Sequence, residues 1–170
     1  MLTLNEDQRL LMDSARSAVA ERSPVSENRR LREPQGEGFS REFWAYCGEM
    51  GWSGVLVPEA QGGFPFGVVG AGLLAREMAR TLVLSPFLST AVLAAAALGE
   101  APSAAAETWL PRIAAAQAIL AFAHEGEVVA RRAGGGFRLD GDKHFALDGP
   151  VADALIVSAD IEGSPALFLV

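Results

Sequence analysis

The spacing of hydrophobic positions changes character near residue 116. Up to Pro111 apolar residues recur three and four apart, while from Ala118 to Val170 they fall in short runs separated by Gly, Asp and Pro. The first pattern is that of amphipathic helices, the second that of a small antiparallel sheet. The expected fold class is therefore α+β. An all-α helical bundle over residues 1–116 precedes an antiparallel β domain over residues 117–170, whose last strand is expected to be cut short at Val170.

Along the helical half, Thr3-Leu-Asn-Glu6 reads as a capping box. Leu10, Leu11, Ala15, Ala18 and Val19 share a face behind it, so a first helix runs to about Arg22, before Pro24. Ser26 to Gly38 is polar, and its cluster of Arg29, Arg30 and Arg32 reads as a solvated face or linker in preference to a phosphate site. Ser40 caps a second helix that carries Phe43, Trp44, Cys47 and Met50 inward and ends at Gly51. The loop from Trp52 to Gly67 is dense in Gly and Pro yet holds large apolar residues. It must pack down, and its own core is favoured over a ligand. A third helix covers Val68 to Arg80. Phe87 to Leu98 is almost wholly apolar and demands burial on most faces, between helices or against another subunit. A last helix, Ser103 to Ala115, carries Trp109, Leu110 and Ile113 and is kinked by Pro111.

In the second half, strand-like runs cover Ala118 to Glu125, Val128 to Arg132, Phe137 to Gly141, Ala154 to Ala159 and Ala166 to Val170, with Gly134-Gly-Gly136 as a hairpin turn. The net charge of −7 over 170 residues argues against a nucleic-acid backbone or an anionic membrane as partner. A lone cysteine, Cys47, excludes an internal disulfide and a cysteine zinc site. No apolar run approaches the roughly 18 residues of a membrane span, so the expectation is a soluble, cytoplasmic protein without membrane insertion. His124 and His144 lack partners at metal-ligand spacing, and no nucleophile elbow, phosphate loop or Cys–His pair is present. Glu59, Glu77 and Glu125 read as loop, helix-face and strand-end carboxylates, so no catalytic residue is nominated.

The order of motifs carries more. Leu4-x-x-Asp7-Gln8-x-x-Leu11, then Met50-Gly-Trp-Ser-Gly-Val-Leu-Val-Pro-Glu59-Ala-Gln-Gly-Gly63, then Ala75-Arg-Glu-Met-Ala-Arg80, then Trp109-Leu-Pro-Arg-Ile113 resembles the N-terminal helical domain of the acyl-CoA dehydrogenase family. Phe137-Arg-Leu-Asp-Gly-Asp-Lys143 and Phe145-Ala-Leu-Asp-Gly149 resemble that family's strand and the Trp-Ile-Thr-Asn-Gly flavin segment after it. The resemblance implies a helical domain, a β domain and a C-terminal helical domain, the last lying outside this chain. It also implies FAD as cofactor and α,β-dehydrogenation of an acyl-CoA thioester, with a carboxylate taking the α-proton and the flavin accepting hydride. A homo- or hetero-oligomer and an electron-transfer flavoprotein are the protein partners it implies.

Carried over by position, Phe122, Ala123, His124, Phe145, Ala146 and Leu147 become the expected flavin neighbours. His124 stands in for a threonine and Phe145 for the stacking tryptophan. The departures are specific. Gly126 replaces the family's proline, the Gly-x-Gly-Ser-Asp stretch is shortened to Glu127-Val-Val-Ala, and Leu147 has no hydrogen to donate. The family's catalytic carboxylate belongs to the C-terminal domain. Three readings follow: the N-terminal portion of an acyl-CoA dehydrogenase, a non-catalytic partner subunit of a heteromeric one, and an acyl-CoA oxidase or flavin monooxygenase on the same fold.

Overall fold

A computed structural model of the chain describes residues 4–33, 38–64, 66–100 and 102–170. Six α-helices come first: α1 (Glu6–Arg22), α2 (Val25–Leu31), α3 (Arg41–Glu49), α4 (Gly67–Arg80), α5 (Ala95–Gly99) and α6 (Ala104–Ala114). A π-helical segment, Phe87–Ala94, leads directly into α5. Five strands follow: β1 (Leu120–Ala123), β2 (Val128–Ala133), β3 (Gly136–Gly141), β4 (Ala154–Ile161) and β5 (Ser164–Leu169).

α1 is capped by Asn5, whose Oδ1 accepts from Gln8 N at 2.8 Å while Gln8 Oε1 accepts from Asn5 N at 3.1 Å. This capping box sits two residues beyond the expected one, of which Thr3 lies outside the described residues. α1 packs on α4 through an ion pair. The fully buried Glu77 carboxylate receives the Arg16 guanidinium in a fork, Nε to Oε2 at 3.1 Å and Nη2 to Oε1 at 3.3 Å. Arg76 and Arg80 approach the same carboxylate at 3.5 and 3.6 Å. The Glu77 hydrogen bond, then its charge, holds the Arg16 guanidinium above its ordinary pKa.

The polar stretch read as a solvated face or linker is in part a helix, α2, with Arg29, Arg30 and Arg32 on its exposed side and C-cap, and the helix escaped reading for a visible cause. Only Asn28 and Leu31 of its residues are buried, so the period is too sparse to read. Asn28 is a hub: its Nδ2 donates to Thr81 O at 2.9 Å and Ser23 O at 3.2 Å, and its Oδ1 accepts from Ser23 Oγ at 3.1 Å. In α3 the Ser40 hydroxyl caps Phe43 N, and Phe43, Trp44 and Cys47 are buried as expected. Met50 instead stays 39 % exposed, because it occupies the helix C-cap where the chain turns through Gly51 at φ +71°. The following loop buries Trp52, Val55 and Val57 in the helical core, pinned by Ser53 Oγ donating to Ala114 O at 2.7 Å. The apolar segment after Pro86 is not covered on every side: Leu88 remains 52 % exposed.

The sheet is mixed, which corrects the expectation of an antiparallel one. β4 lies parallel to β1 over Leu120–Ala123 and touches β2, also parallel, at Val129–Asp160. The antiparallel pairs are the two hairpins, β2–β3 and β4–β5. The cause is topological. A whole hairpin and the connection 142–153 separate β1 from β4, which is length enough to return the chain alongside β1 in the same direction. Both hairpins close on two residues with positive φ, Gly134-Gly135 and Glu162-Gly163, the backbone that matches strand twist. β5 is laddered to its end, with Val170 and Leu155 exchanging N–H···O bonds of 2.9 Å.

Two outcomes are expected. Glu77→Gln keeps the shape but removes the charge that three arginines share, and should cost about 1.5–3 kcal/mol, read from the urea midpoint. Burial alone pushes the Cys47 thiol up to about 12. The sign is clear: below that value the thiol keeps its proton, so Cys47 should resist a thiolate-directed reagent at pH 8 in the native protein and react at once on unfolding.

Candidate functional site

The end of β1 and the segment before β4 meet at one place. His144 N donates to Glu125 O at 3.0 Å, closing an isolated antiparallel bridge between the two. Gly126 follows at φ +99°, and a Cβ there would stand 2.4 Å from Asp142 O. Proline, whose ring fixes φ near −65°, cannot adopt this backbone. The substitution noted in the sequence is thus a different path for the chain.

β4 pairs with β1 up to Val157 and meets β2 at Asp160, and between these points its Ser158 side chain meets Lys143. Its ammonium donates to Gly126 O at 2.7 Å, Ser158 Oγ at 2.9 Å and His124 O at 3.1 Å, using its three hydrogens. Over this point lies an open cleft of about 430 Å³, lined by His124, Lys143, Ser158, Asp160 and Val129 among others.

The six nominated residues divide. Phe122 and His124 lie two apart on β1 and stack, ring centroids 5.4 Å apart and 24° from parallel. The His124 Nε2 is 3.4 Å from Glu125 Oε1. Ala123 points to the other face and is buried with Val128 and Val157, and Ala146 packs against that same cluster. Phe145 and Leu147 stand out on the turn, 88 % and 49 % exposed, with Phe145 at φ +55°. The structure therefore places His124 at the cleft with Phe122 stacked behind it, two alanines under the sheet, and two apolar side chains in the open.

Sequence reasoning missed Lys143 and Ser158. The signal for Ser158 was a lone hydroxyl in an otherwise apolar strand, Ala154-Leu-Ile-Val-Ser-Ala159; Lys143 offered none, because its three acceptors, two of them backbone carbonyls, are brought together by tertiary structure. Among the six, only the His124 ring has a side-chain hydrogen-bonding group. Phe145 can stack on a planar ring and Leu147 can offer only its backbone. These residues fit a flavin as a supporting face, with little polar grip. Among the described residues no group of three or more His, Cys, Asp or Glu could hold a metal ion, and no helix is long and apolar enough to cross a membrane.

Residues 5–117 match the family description "Acyl-CoA dehydrogenase, N-terminal domain". The chain is 33% identical to acyl-CoA dehydrogenase FadE27 of Mycobacterium tuberculosis over 166 residues, 94% of this chain and 43% of that protein. It superposes on a chain of the ChsE4-ChsE5 complex from Mycobacterium tuberculosis with a TM-score of 0.90 and 30% identity, covering 99% of this chain and 48% of that one. A variant of the Tcur3481-Tcur3483 steroid ACAD gives a TM-score of 0.87 at 28% identity, covering 99% of this chain and 48% of that one. The chain thus spans less than half the length of these relatives.

Gly126→Ala should destabilise the protein by about 1–3 kcal/mol, since it forces both a disfavoured φ and an overlap with a backbone oxygen. Hydrogen exchange should localise the damage to the Glu125–His144 bridge. A neutral midpoint in urea would contradict the geometry.

Proposed function

The chain belongs to the acyl-CoA dehydrogenase family, and on that premise we propose that it is the N-terminal part of a partner subunit in a heteromeric acyl-CoA dehydrogenase. In this reading the helical part, 1–116, and the β part, 117–170, lend one wall to a flavin cleft whose proton-abstracting group stands elsewhere. The observation that carries it is the turn at 145–149, where the aromatic Phe145 is exposed and the Leu147 side chain has nothing to donate. A site that grips its own flavin needs hydrogen-bond donors aimed at the ring's polar edge, and this turn has kept the stacking surface with backbone donors alone.

FAD, when bound, supplies the hydride acceptor for α,β-dehydrogenation of an acyl-CoA thioester. The chain's own residues orient and enclose. Phe145 lies against the ring, His124 offers an imidazole N–H, and Ala123, Ala146 and Leu147 present backbone, while Phe122 backs His124 by stacking. None of the three glutamates weighed from the sequence is assigned the α-proton in this reading: Glu77 is enclosed by arginines, and Glu59 and Glu125 face solvent. Similarity to the ChsE4-ChsE5 complex supports a two-chain assembly, and similarity to a steroid ACAD supports a bulky, polycyclic acyl-CoA as its substrate. An electron-transfer flavoprotein as electron acceptor and a cytoplasmic location belong to the same reading.

A catalytic, flavin-loaded subunit is the second reading, favoured by the 33% identity to FadE27. One preparation separates the two. The full-length protein purified alone should be colourless, and should become yellow, and bleach anaerobically with an acyl-CoA, only when co-purified with a family member carrying the base. One FAD per chain in the protein alone, bleached by an acyl-CoA, would overturn the proposal.

A further inference from the structure

The turn that carries Phe145 is an unfavourable one for its sequence. Phe145 and Asp148 sit at φ +55° and +57°, in the left-handed region that residues with a Cβ avoid. Two backbone bonds run within the turn, Gly149 N to Ala146 O at 3.1 Å and Val151 N to Asp148 O at 3.0 Å. Such a conformation persists only where the surroundings over-determine it. The connection is tied down at one end by the Glu125–His144 bridge and at the other by Asp153, whose Oδ2 accepts from Ile119 N at 2.8 Å. Between those ties a contact arrives from the helical half. Ser89, fully buried in the π-helical segment, places its Oγ 2.5 Å from Asp148 Oδ2. Pro86 O, at the cap just before that segment, lies farther off at 3.1 Å. A hydroxyl has one proton, and the shorter, charge-assisted contact to the carboxylate takes it.

The shape of the helix explains how this contact arises. Ser89 and its neighbour Thr90 both reach the β half, Ser89 to Asp148 and Thr90 to Leu120. The segment that carries them is π-helical, a widened coil found most often where function holds a helix out of its ordinary geometry.

We infer that Ser89 is a positioning residue for the flavin-facing turn: its hydroxyl holds Asp148 in the left-handed conformation and so sets the direction in which Phe145 projects. This rests on the reading above only in taking Phe145 to lie against flavin; the latch itself is independent of any cofactor. It makes the helical half an active determinant of the cleft, since loss of one buried hydroxyl group would free an aromatic residue in another part of the molecule.

The test compares Ser89→Ala, Asp148→Ala and Asp148→Asn in the full-length protein by amide hydrogen exchange. Ser89→Ala and Asp148→Ala should speed exchange at Gly149 and Val151 about tenfold, the loss of one hydrogen bond, with α4 and β4 unchanged. Asp148→Asn retains an acceptor oxygen and tolerates left-handed backbone, so it should stay within about twofold of the parent. In a flavin-loaded complex, Ser89→Ala should weaken FAD binding about tenfold and alter the flavin fluorescence, and Asp148→Asn should do neither. Unchanged exchange at the turn in Ser89→Ala would overturn the inference, as would an equal rise over the whole chain. A turn that loosens in a protein taking up no flavin with any companion would leave the latch standing and sink the flavin reading instead.

Discussion

The fold depends on what happens to the free edge of β1. This strand has one sheet neighbour, β4, and its other edge faces the helical half at Leu120, which is fully buried. A buried N–H and C=O without partners would each carry the full cost of desolvation, so the helical half must supply a donor and an acceptor at that spot. Thr90 does both with one hydroxyl, donating to Leu120 O at 3.0 Å and accepting from Leu120 N at 3.1 Å. In effect a side chain in a π-helical turn replaces one residue of a missing strand. The apolar cluster around Val57, Leu110, Ile113 and Leu120 then closes across the junction, burying helix and strand residues together.

Much of this architecture was legible because its cause is periodic. α1, α3, α4 and α6 each bury a regular face, and the two hairpins are marked by glycines in two-residue turns. What escaped reading lacks a period. α2 shows only two inward residues, one of them an asparagine whose side chain bonds to Ser23 and Thr81 outside the helix. The parallel pairing of β1 with β4 is a property of chain return, and strand runs look alike whichever direction they take. The π-helical form of the apolar segment is equally invisible, since its composition argues only for burial.

The candidate site was nominated in a different way, by motif order, and the structure divides the nominated residues by what holds them. Ala123 and Ala146 occupy positions whose side chains pack beneath the sheet, so small size is demanded there whatever the cleft binds. Phe145 and Leu147 occupy positions whose side chains are not packed into the core, and their exposure leaves residue type there to be set by a ligand or another chain. Gly126 belongs to a third group: its φ and the closeness of Asp142 O fix it by backbone alone. A departure from the family pattern at Gly126 thus rewrites the path of the chain, while one at Leu147 rewrites only what the cleft can recognise.

That separation bears on how a chain of this fold can change its chemistry and keep its architecture. The contacts that organise the chain, Glu77 with its arginines, Thr90 with Leu120 and Lys143 with the carbonyls of His124 and Gly126, are saturated within the protein and need no ligand. The turn at 145–149 shares in this independence, since its strained backbone is held from the helical side. A donor can therefore be lost from Leu147's position without loosening the surface that carries Phe145. The rigid scaffold is kept because folding requires it, and the recognition groups are free to change because folding does not.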